Sequence, residues 1–327
     1  MKQPLIILTG PTAVGKTKLS IALAKAVNGE IISADSMQVY KKMNIGTAKI
    51  LPEEMQGVPH HLIDILEPAE EFNVVLFAKL AKQAMEQCRA KGKIPILVGG
   101  TGFYIQAVLY DIDFTENDDD KTYREELERI AEAEGAEVLH ERLKQVDAKA
   151  AEEIHPNNVK RVIRALEFYE KSGGQKISEH NEEQKQKESP YNFAYFVLND
   201  DRQVVYDRIN RRVDVMLEQG LVEEVKALLE EGVPTNSVSM QGLGYKEIVA
   251  YLRGECTLED AVYVLKRDTR HFAKRQITWF KRENDVYWLN RPDFDRSDEK
   301  ILAEMLNIID EKEIRKNQEE LHEHKIT

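Results

Sequence analysis

The chain has 327 residues, 42% hydrophobic and 32% charged, with a net charge of −12. This is the balance of a folded globular protein with chain enough for one large domain or two modest ones. Cys88 and Cys256 lie far apart without histidines at ligand spacing, and no apolar run reaches the length of a membrane span. Neither a disulfide framework, a zinc site nor a membrane protein is implied, and a cytoplasmic protein is expected.

The first strand is the apolar run Leu5-Ile6-Ile7-Leu8, followed at once by Gly10-Pro11-Thr12-Ala13-Val14-Gly15-Lys16-Thr17. Strand, glycine-bounded loop and terminal Lys-Thr spell a phosphate-binding P-loop. Gly10 and Gly15 let the backbone curl so that successive N–H groups converge on an anion. A helix through Leu19, Leu23 and Val27 adds the positive end of its dipole. Lys16 would reach the outer phosphate and the Thr17 hydroxyl would ligate Mg²⁺. Every signature position is filled and the flanking elements are right, so a bound di- or triphosphate is expected.

Glu30–Ala34 reads as the second strand and ends at Asp35-Ser36. Asp35 has two readings. It is a turn or cap residue, or it faces the phosphate site as a general base or as a partner of a Mg²⁺ ligand. The pair His60-His61 suggests a metal, but neighbours on a strand point to opposite faces, which argues against a shared ion. A helix over Val74–Arg89 stops at Gly92. Ile94–Val98 is a third buried strand, closed by the turn Gly99-Gly100-Thr101-Gly102. Alternation of strand and helix implies a parallel sheet with its working loops at the carboxyl ends of the strands. P-loop ATPases and GTPases end a neighbouring strand in a Mg²⁺-holding Asp. Here the third strand ends in glycines and Thr101, and no Asn-Lys-x-Asp sequence reads guanine. Thr101 either serves the reaction or satisfies the turn backbone.

Near Asp113 the character changes. Asp118-Asp119-Asp120 opens a run of charged helices, His155-Pro156-Asn157-Asn158 leads into a helix over Val159–Glu170, and Ile177–Pro190 reads as a polar, mobile stretch. Phe193–Leu198 looks like a strand returning to the sheet. Helices follow over Arg202–Glu218, with Arg208, Arg211 and Arg212 clustered, and over Leu221–Glu231 after Gly220. Val264–Arg282 reads as a basic amphipathic helix, with Leu265, Phe272 and Trp279 on one face and Lys266, Arg267, Arg270, Lys274 and Lys281 opposite. In an acidic protein such a one-signed face suits a phosphate backbone. Val286–Leu289 is a last strand. The expected architecture is α/β: a P-loop NTPase-like core of parallel sheet flanked by helices, from residues 1–114 and 192–310. An α-helical insertion domain (115–191) and a charged tail (311–327) complete it.

Together these segments resemble the bacterial tRNA dimethylallyltransferases, or tRNA isopentenyltransferases. The resemblance rests on the P-loop, IISADSMQVY (Ile31–Tyr40), IGTAK (Ile45–Lys49), PHHLID (Pro59–Asp64), VGGTGFYIQA (Val98–Ala107), HPNNVKRVIRALE (His155–Glu167), GLGYKE (Gly242–Glu247) and AKRQITWF (Ala273–Phe280). They follow the family's order nearly end to end, and no Cys/His zinc finger of the eukaryotic branch is present. The resemblance implies transfer of a dimethylallyl group from dimethylallyl diphosphate to N6 of adenosine 37 of tRNA, with Mg²⁺ as cofactor. It makes Asp35 the general base, with Thr101, Lys16 and Arg212 also catalytic, and Gly10 to Thr17 the diphosphate site. It implies tRNA contacts at Asp35, Ser36, Met37, Gln38, Thr101 and Arg124, and at Val159, Lys160, Arg161, Val162 and Ile163. Further contacts are implied at Gly242, Leu243, Gly244, Tyr245, Lys246 and Glu247, and at Lys274, Arg275 and Gln276. The partner is the tRNA anticodon stem-loop, and a monomer is expected. A P-loop kinase and a non-catalytic, nucleotide-dependent RNA-binding protein are the alternatives. The first leaves the basic helix unexplained, and the second gives Asp35 and Thr101 nothing to do.

Overall fold

The computed structural model describes residues 2–113, 122–185 and 187–315. The Asp118–Asp120 run and the tail from residue 316 onward lie outside the described residues. The chain divides into two compact units, Met1–Leu109 with Pro190–Thr327, and Tyr110–Ser189.

The first unit opens with β1 (Gln3–Thr9), α1 (Lys16–Ala26), β2 (Gly29–Ala34), β3 (His60–His61), α2 (Val74–Ala90), β4 (Ile94–Gly99) and α3 (Gly102–Leu109). Leu5 to Leu8 are fully buried, as a near-continuous apolar strand covered on both faces must be. β3 and α3 are additional to the elements read from the sequence. β3 is only two residues long, and α3 starts inside the glycine turn, whose composition masks a helix start.

The second unit is helical: α4 (Thr122–Glu134), α5 (Ala136–Val146), α6 (Ala148–Glu153), α7 (Val159–Lys171) and α8 (Ile177–Lys185). It has its own core of Leu127, Leu139, Leu143, Ala150, Ala151, Val162, Ile163, Ala165 and Leu166. The stretch from Ile177, expected to be mobile, is helical through Lys185. Its start is fixed by tertiary contacts that the local sequence does not announce. Ile177 packs on that core, and Ser178 donates through its N and Oγ to the two oxygens of buried Asp147 at 2.9 and 2.6 Å.

The chain then returns with β5 (Tyr191–Asn199), α9 (Arg202–Glu218), α10 (Leu221–Glu230), α11 (Tyr245–Leu252), α12 (Leu258–Phe280), β6 (Val286–Asn290) and α13 (Asp298–Glu311). The sheet is parallel throughout, in the order β3-β2-β4-β1-β5-β6. β1 is therefore flanked by β4 and β5, and the carboxyl ends of all three converge where the P-loop leaves the sheet. α12 begins six residues before the basic run, at a capping box in which Thr257 Oγ1 accepts from Asp260 N. α13 buries Ile301, Met305, Ile308 and Ile309, a helical stripe set among charged neighbours.

Candidate active site

The loop between β1 and α1 holds three left-handed residues, Gly10 (φ 144°), Ala13 (φ 63°) and Gly15 (φ 98°). A Cβ on Gly10 would lie 2.2 Å from the Leu198 carbonyl oxygen of β5, so only glycine fits there. Gly15 is the N-cap of α1, which has neither a side-chain cap nor an acidic residue in its first turn. The helix start thus keeps its positive end for an anion. Lys16 folds back on the loop, its Nζ donating to the carbonyls of Gly10 and Pro11 at 2.9 Å each. Burial and the nearby charge of Arg212 lower the Lys16 pKa to about 7, against an opposing pull from Asp35. Arg212, on α9, points Nη1 at Thr12 Oγ1 of the loop at 3.4 Å. Part of its side chain meets solvent, while desolvation by the surrounding protein lowers the guanidinium pKa. Thr17 is exposed, and its hydroxyl has no hydrogen-bond partner among the described residues. An unsatisfied hydroxyl oxygen beside a phosphate cradle suits Mg²⁺, which takes one or two protein oxygens and fills its sphere with water and phosphate.

Asp35 follows β2 directly. Its Oδ1 accepts from Met37 N at 2.8 Å and Gln38 N at 3.2 Å, while Oδ2 has no partner among the described residues. The turn role and the chemical role therefore coexist, one on each oxygen. Across the sheet, Thr101 N donates to Ala34 O at 3.4 Å, setting the end of β4 beside the end of β2. A Cβ on Gly99 would lie 2.2 Å from that same Ala34 oxygen. The Thr101 backbone carbonyl caps α3, but its hydroxyl has no hydrogen-bond partner among the described residues, so it does not serve the turn.

Three braces escaped the sequence reading. Gln276, 6% exposed on α12, accepts from Thr12 N and donates to Gly100 O, both at 2.9 Å. Arg291, 7% exposed, donates Nε to Val14 O at 2.9 Å and pairs with Asp298 at 2.9 Å. Glu224, on α10, accepts from Asn44 N, Ile45 N and Gly46 N at 2.8–3.1 Å and from Tyr245 OH at 2.7 Å, which fixes the IGTAK loop. An acid also follows β5, the other neighbour of β1. Asp200 is buried and already engaged by Asp201 N, Arg208 and Arg296, so it stabilises the strand end rather than offering a metal ligand.

The residues expected at an RNA surface divide by exposure. Lys160, Arg161, Lys246, Lys274 and Arg275 are exposed, and Ser36, Met37, Gln38, Val159, Gly242 and Leu243 are half-buried. Val162 and Ile163 are instead core residues of the helical unit, because α7 turns those positions inward. Gly244, Tyr245 and Glu247 are buried at the start of α11, where Glu247 accepts from Gly244 N at 2.8 Å. Gln276 is turned to the P-loop with both ends of its amide used. Arg124 is paired with Glu167 at 2.6 Å. In the protein without RNA, those groups are engaged in packing and in internal pairs. The basic face of α12 is also narrower than its sequence suggests. Lys266 pairs with Asp214 and Arg267 with Asp268. Lys274, Arg275, Lys281 and Arg282 have no acidic partner among the described residues. His271, Lys274, Arg275, Thr278, Trp279 and Arg282 line an open groove along this helix.

Known proteins match this chain throughout. A family model described as IPP transferase matches residues 38–283, beginning just after Asp35. The tRNA dimethylallyltransferase of Lachnoclostridium phytofermentans is 67% identical over 312 residues, covering 95% of this chain and 99% of that protein. The full-length tRNA isopentenylpyrophosphate transferase of Bacillus halodurans superposes with a TM-score of 0.71 at 46% identity, covering 99% of this chain and 100% of that one. A eukaryotic dimethylallyltransferase acting on tRNA gives a TM-score of 0.77 at 34% identity, over 88% of this chain and 74% of that one.

Proposed function

The chain belongs to the IPP transferase family, whose relatives at this similarity are tRNA dimethylallyltransferases, and from that premise we propose how it works as a prenyl-transferring enzyme. It transfers the dimethylallyl group of dimethylallyl diphosphate to N6 of adenosine 37 in the anticodon loop of tRNA. The N6–C1 bond forms as the C1–O bond breaks, diphosphate departs, and the N6 proton passes to a base. The adenine amine is a poor nucleophile because its lone pair is shared with the ring. A carboxylate taking the proton as the bond forms is worth about 10²–10⁴ in rate.

The observation that carries this reading is the divided carboxylate of Asp35, one oxygen locked by the turn and the other unpartnered, beside a phosphate cradle. The turn fixes the base without consuming it. Thr101, brought alongside through Ala34, positions the amine. The loop N–H groups, Lys16 released from its carbonyls, and Arg212 take up the charge of the departing diphosphate. Thr17 would hold Mg²⁺, which when bound neutralises diphosphate oxygens and polarises the leaving group. Lys274 and Arg275 of α12 supply phosphate contacts to the stem-loop, and in the helical unit Lys160 and Arg161 are two of the exposed cations available to it. The target base must leave its stack to reach Asp35.

We place the enzyme in the cytoplasm as a monomer, in keeping with two free cysteines. No described helix is long and apolar enough to cross a membrane. The kinase reading loses its metal-holding acid, since β4 ends in glycine and Asp200 beyond β5 is engaged by arginines. Transfer to an anticodon stem-loop in nucleotide-free buffer with Mg²⁺, read by the mass of the RNA, is the test. Product without nucleotide is expected. A requirement for ATP, or hydrolysis of ATP in step with product, would overturn the assignment.

A further inference from the structure

Far from the phosphate loop, β2, β3 and α2 bring three unlike side chains together. Glu30 on β2 is 3% exposed, the His61 side chain on β3 is 18% exposed, and Cys88 on α2 is 0% exposed. His61 Nε2 lies 2.7 Å from Glu30 Oε2, and Cys88 Sγ lies 3.6 Å from that oxygen and 3.7 Å from that nitrogen. We propose that Glu30, His61 and Cys88 form a binding site for a zinc-class divalent cation, one that is separate from the reaction centre.

The spacing is the first support. Ligands held at about 2.0–2.3 Å around a tetrahedral zinc are roughly 3.3–3.6 Å from one another. Both edges that include sulfur already have close to that length. Only the nitrogen–oxygen edge, drawn in by a hydrogen bond, must widen, by roughly 0.6 Å. A proton spans that edge in the cation-free protein, and a cation would take its place while the thiol proton leaves to solvent.

The donor set is the second support. One thiolate, one imidazole and one carboxylate select a borderline metal such as zinc, and a sulfur ligand speaks against Mg²⁺ or Ca²⁺. His60 takes no part, because its Nδ1 is turned to Val58 O at 2.8 Å. Glu30 lies five residues before Asp35, roughly 16 Å along an extended chain at about 3.3 Å per residue. The site is therefore at the opposite end of the strand from the reacting groups. Sequence spacing hides it, since the ligands come from two strands and a helix and meet only because Ile32 pairs with His61 across β2 and β3.

One group competes for it. Lys91 Nζ lies 3.2 and 3.3 Å from the Glu30 oxygens, on a side chain that is 53% exposed. Its long stem can swing into water, leaving Glu30 to the cation. The bound ion would fasten the two-residue strand β3 to β2 and α2, and with it the segment from Leu62 to Asp64, whose carboxylate pairs with buried Lys49.

The test is a Co²⁺ titration of the metal-stripped full chain, followed by the near-ultraviolet thiolate-to-cobalt absorption, with Zn²⁺ competing the signal away. One equivalent should saturate the wild type. Cys88→Ser should abolish the absorption and Cys256→Ser should keep it. Lys91→Met, which removes the competing cation, should tighten binding roughly fivefold. Zn²⁺ should raise the Tm of the wild type and leave that of Cys88→Ser unmoved. The proposal fails if no sulfur-based absorption develops, if it survives Cys88→Ser, or if it depends on Cys256. Should Cys88→Ser not fold, His61→Gln and Lys91→Met decide instead. Affinity unchanged in both would overturn the site.

Discussion

Asp35 gives the sharpest test at the level of a single residue. Asp35→Asn keeps an oxygen for the Met37 and Gln38 N–H groups, so the turn should persist while the base is lost. kcat should fall by about 10²–10⁴ with little change in the Kd of stem-loop or prenyl diphosphate, as single-turnover assays and direct titrations would show. Lys16 makes a pH prediction. Its pKa of about 7 in the ligand-free protein would rise against a bound diphosphate, so binding takes up a proton above neutrality. Below pH 7 the ammonium is charged in both states and affinity should be flat with respect to this group. Above it, affinity for inorganic diphosphate should fall by about tenfold per pH unit, and Lys16→Met should remove that slope. Calorimetry between pH 6 and about 9 reads both outcomes. Both residues were legible in the sequence because each sits in a short motif whose spacing fixes its geometry. The division of labour between the two Asp35 oxygens was not, since it depends on where the following turn directs its N–H groups.

Among the elements, α12 presents two unlike faces. Its outer face carries Lys274 and Arg275, and its inner face carries Gln276, which joins the P-loop to the glycine turn. Replacing Lys274 and Arg275 with alanine should weaken stem-loop binding and reduce the log–log salt slope by roughly 0.7–0.9 per lost phosphate contact, with affinity for the prenyl diphosphate unchanged. Gln276→Ala should do the reverse. It strands the Thr12 N–H and the Gly100 carbonyl, so the Tm should drop and diphosphate affinity should fall while stem-loop binding holds; the loss of two partly buried hydrogen bonds to one side chain is worth about 1–3 kcal/mol. If both variants alter stem-loop affinity alike, the two faces are not separable. β1, β2, β4, β5 and β6 and the long helices α2, α9 and α12 could be read from apolar runs and glycine stops, whereas β3, α11 and α13 were not read. What periodicity misjudged was the orientation of α12. The expected inner stripe was Leu265, Phe272 and Trp279, whereas the buried one is Ala261, Leu265, Ala273, Gln276 and Phe280. A polar side chain belongs to the inner face because the partners there are backbone groups, and no hydrophobicity pattern reports that. α8 was missed for a similar reason, its start being held by Asp147, the cap residue between α5 and α6.

Over the whole molecule, an acidic total conceals a local basic groove, and RNA association should depend on the groove. Adding salt should slow encounter with the stem-loop steeply despite the net charge of −12, a behaviour that stopped-flow measurements across ionic strengths would reveal.

The position of β1 has a consequence for the order in which the protein can be made. The strand that carries the P-loop is paired on one side by β4 and on the other by β5, which follows the entire helical unit in the chain. During synthesis β1 has an unsatisfied edge until residue 199 has emerged, and the carbonyl of Val14 waits for Arg291 longer still. A nascent chain stopped after residue 109 therefore exposes an apolar strand edge that invites pairing with other chains. It should aggregate or recruit chaperones, and it should not retain inorganic diphosphate. A chain stopped after Asn290 should have its sheet but a slack phosphate loop, gaining diphosphate affinity only when the residues around Arg291 are restored. Anion binding would then report on the arrival of the segment around Arg291, which braces the phosphate loop from far along the chain.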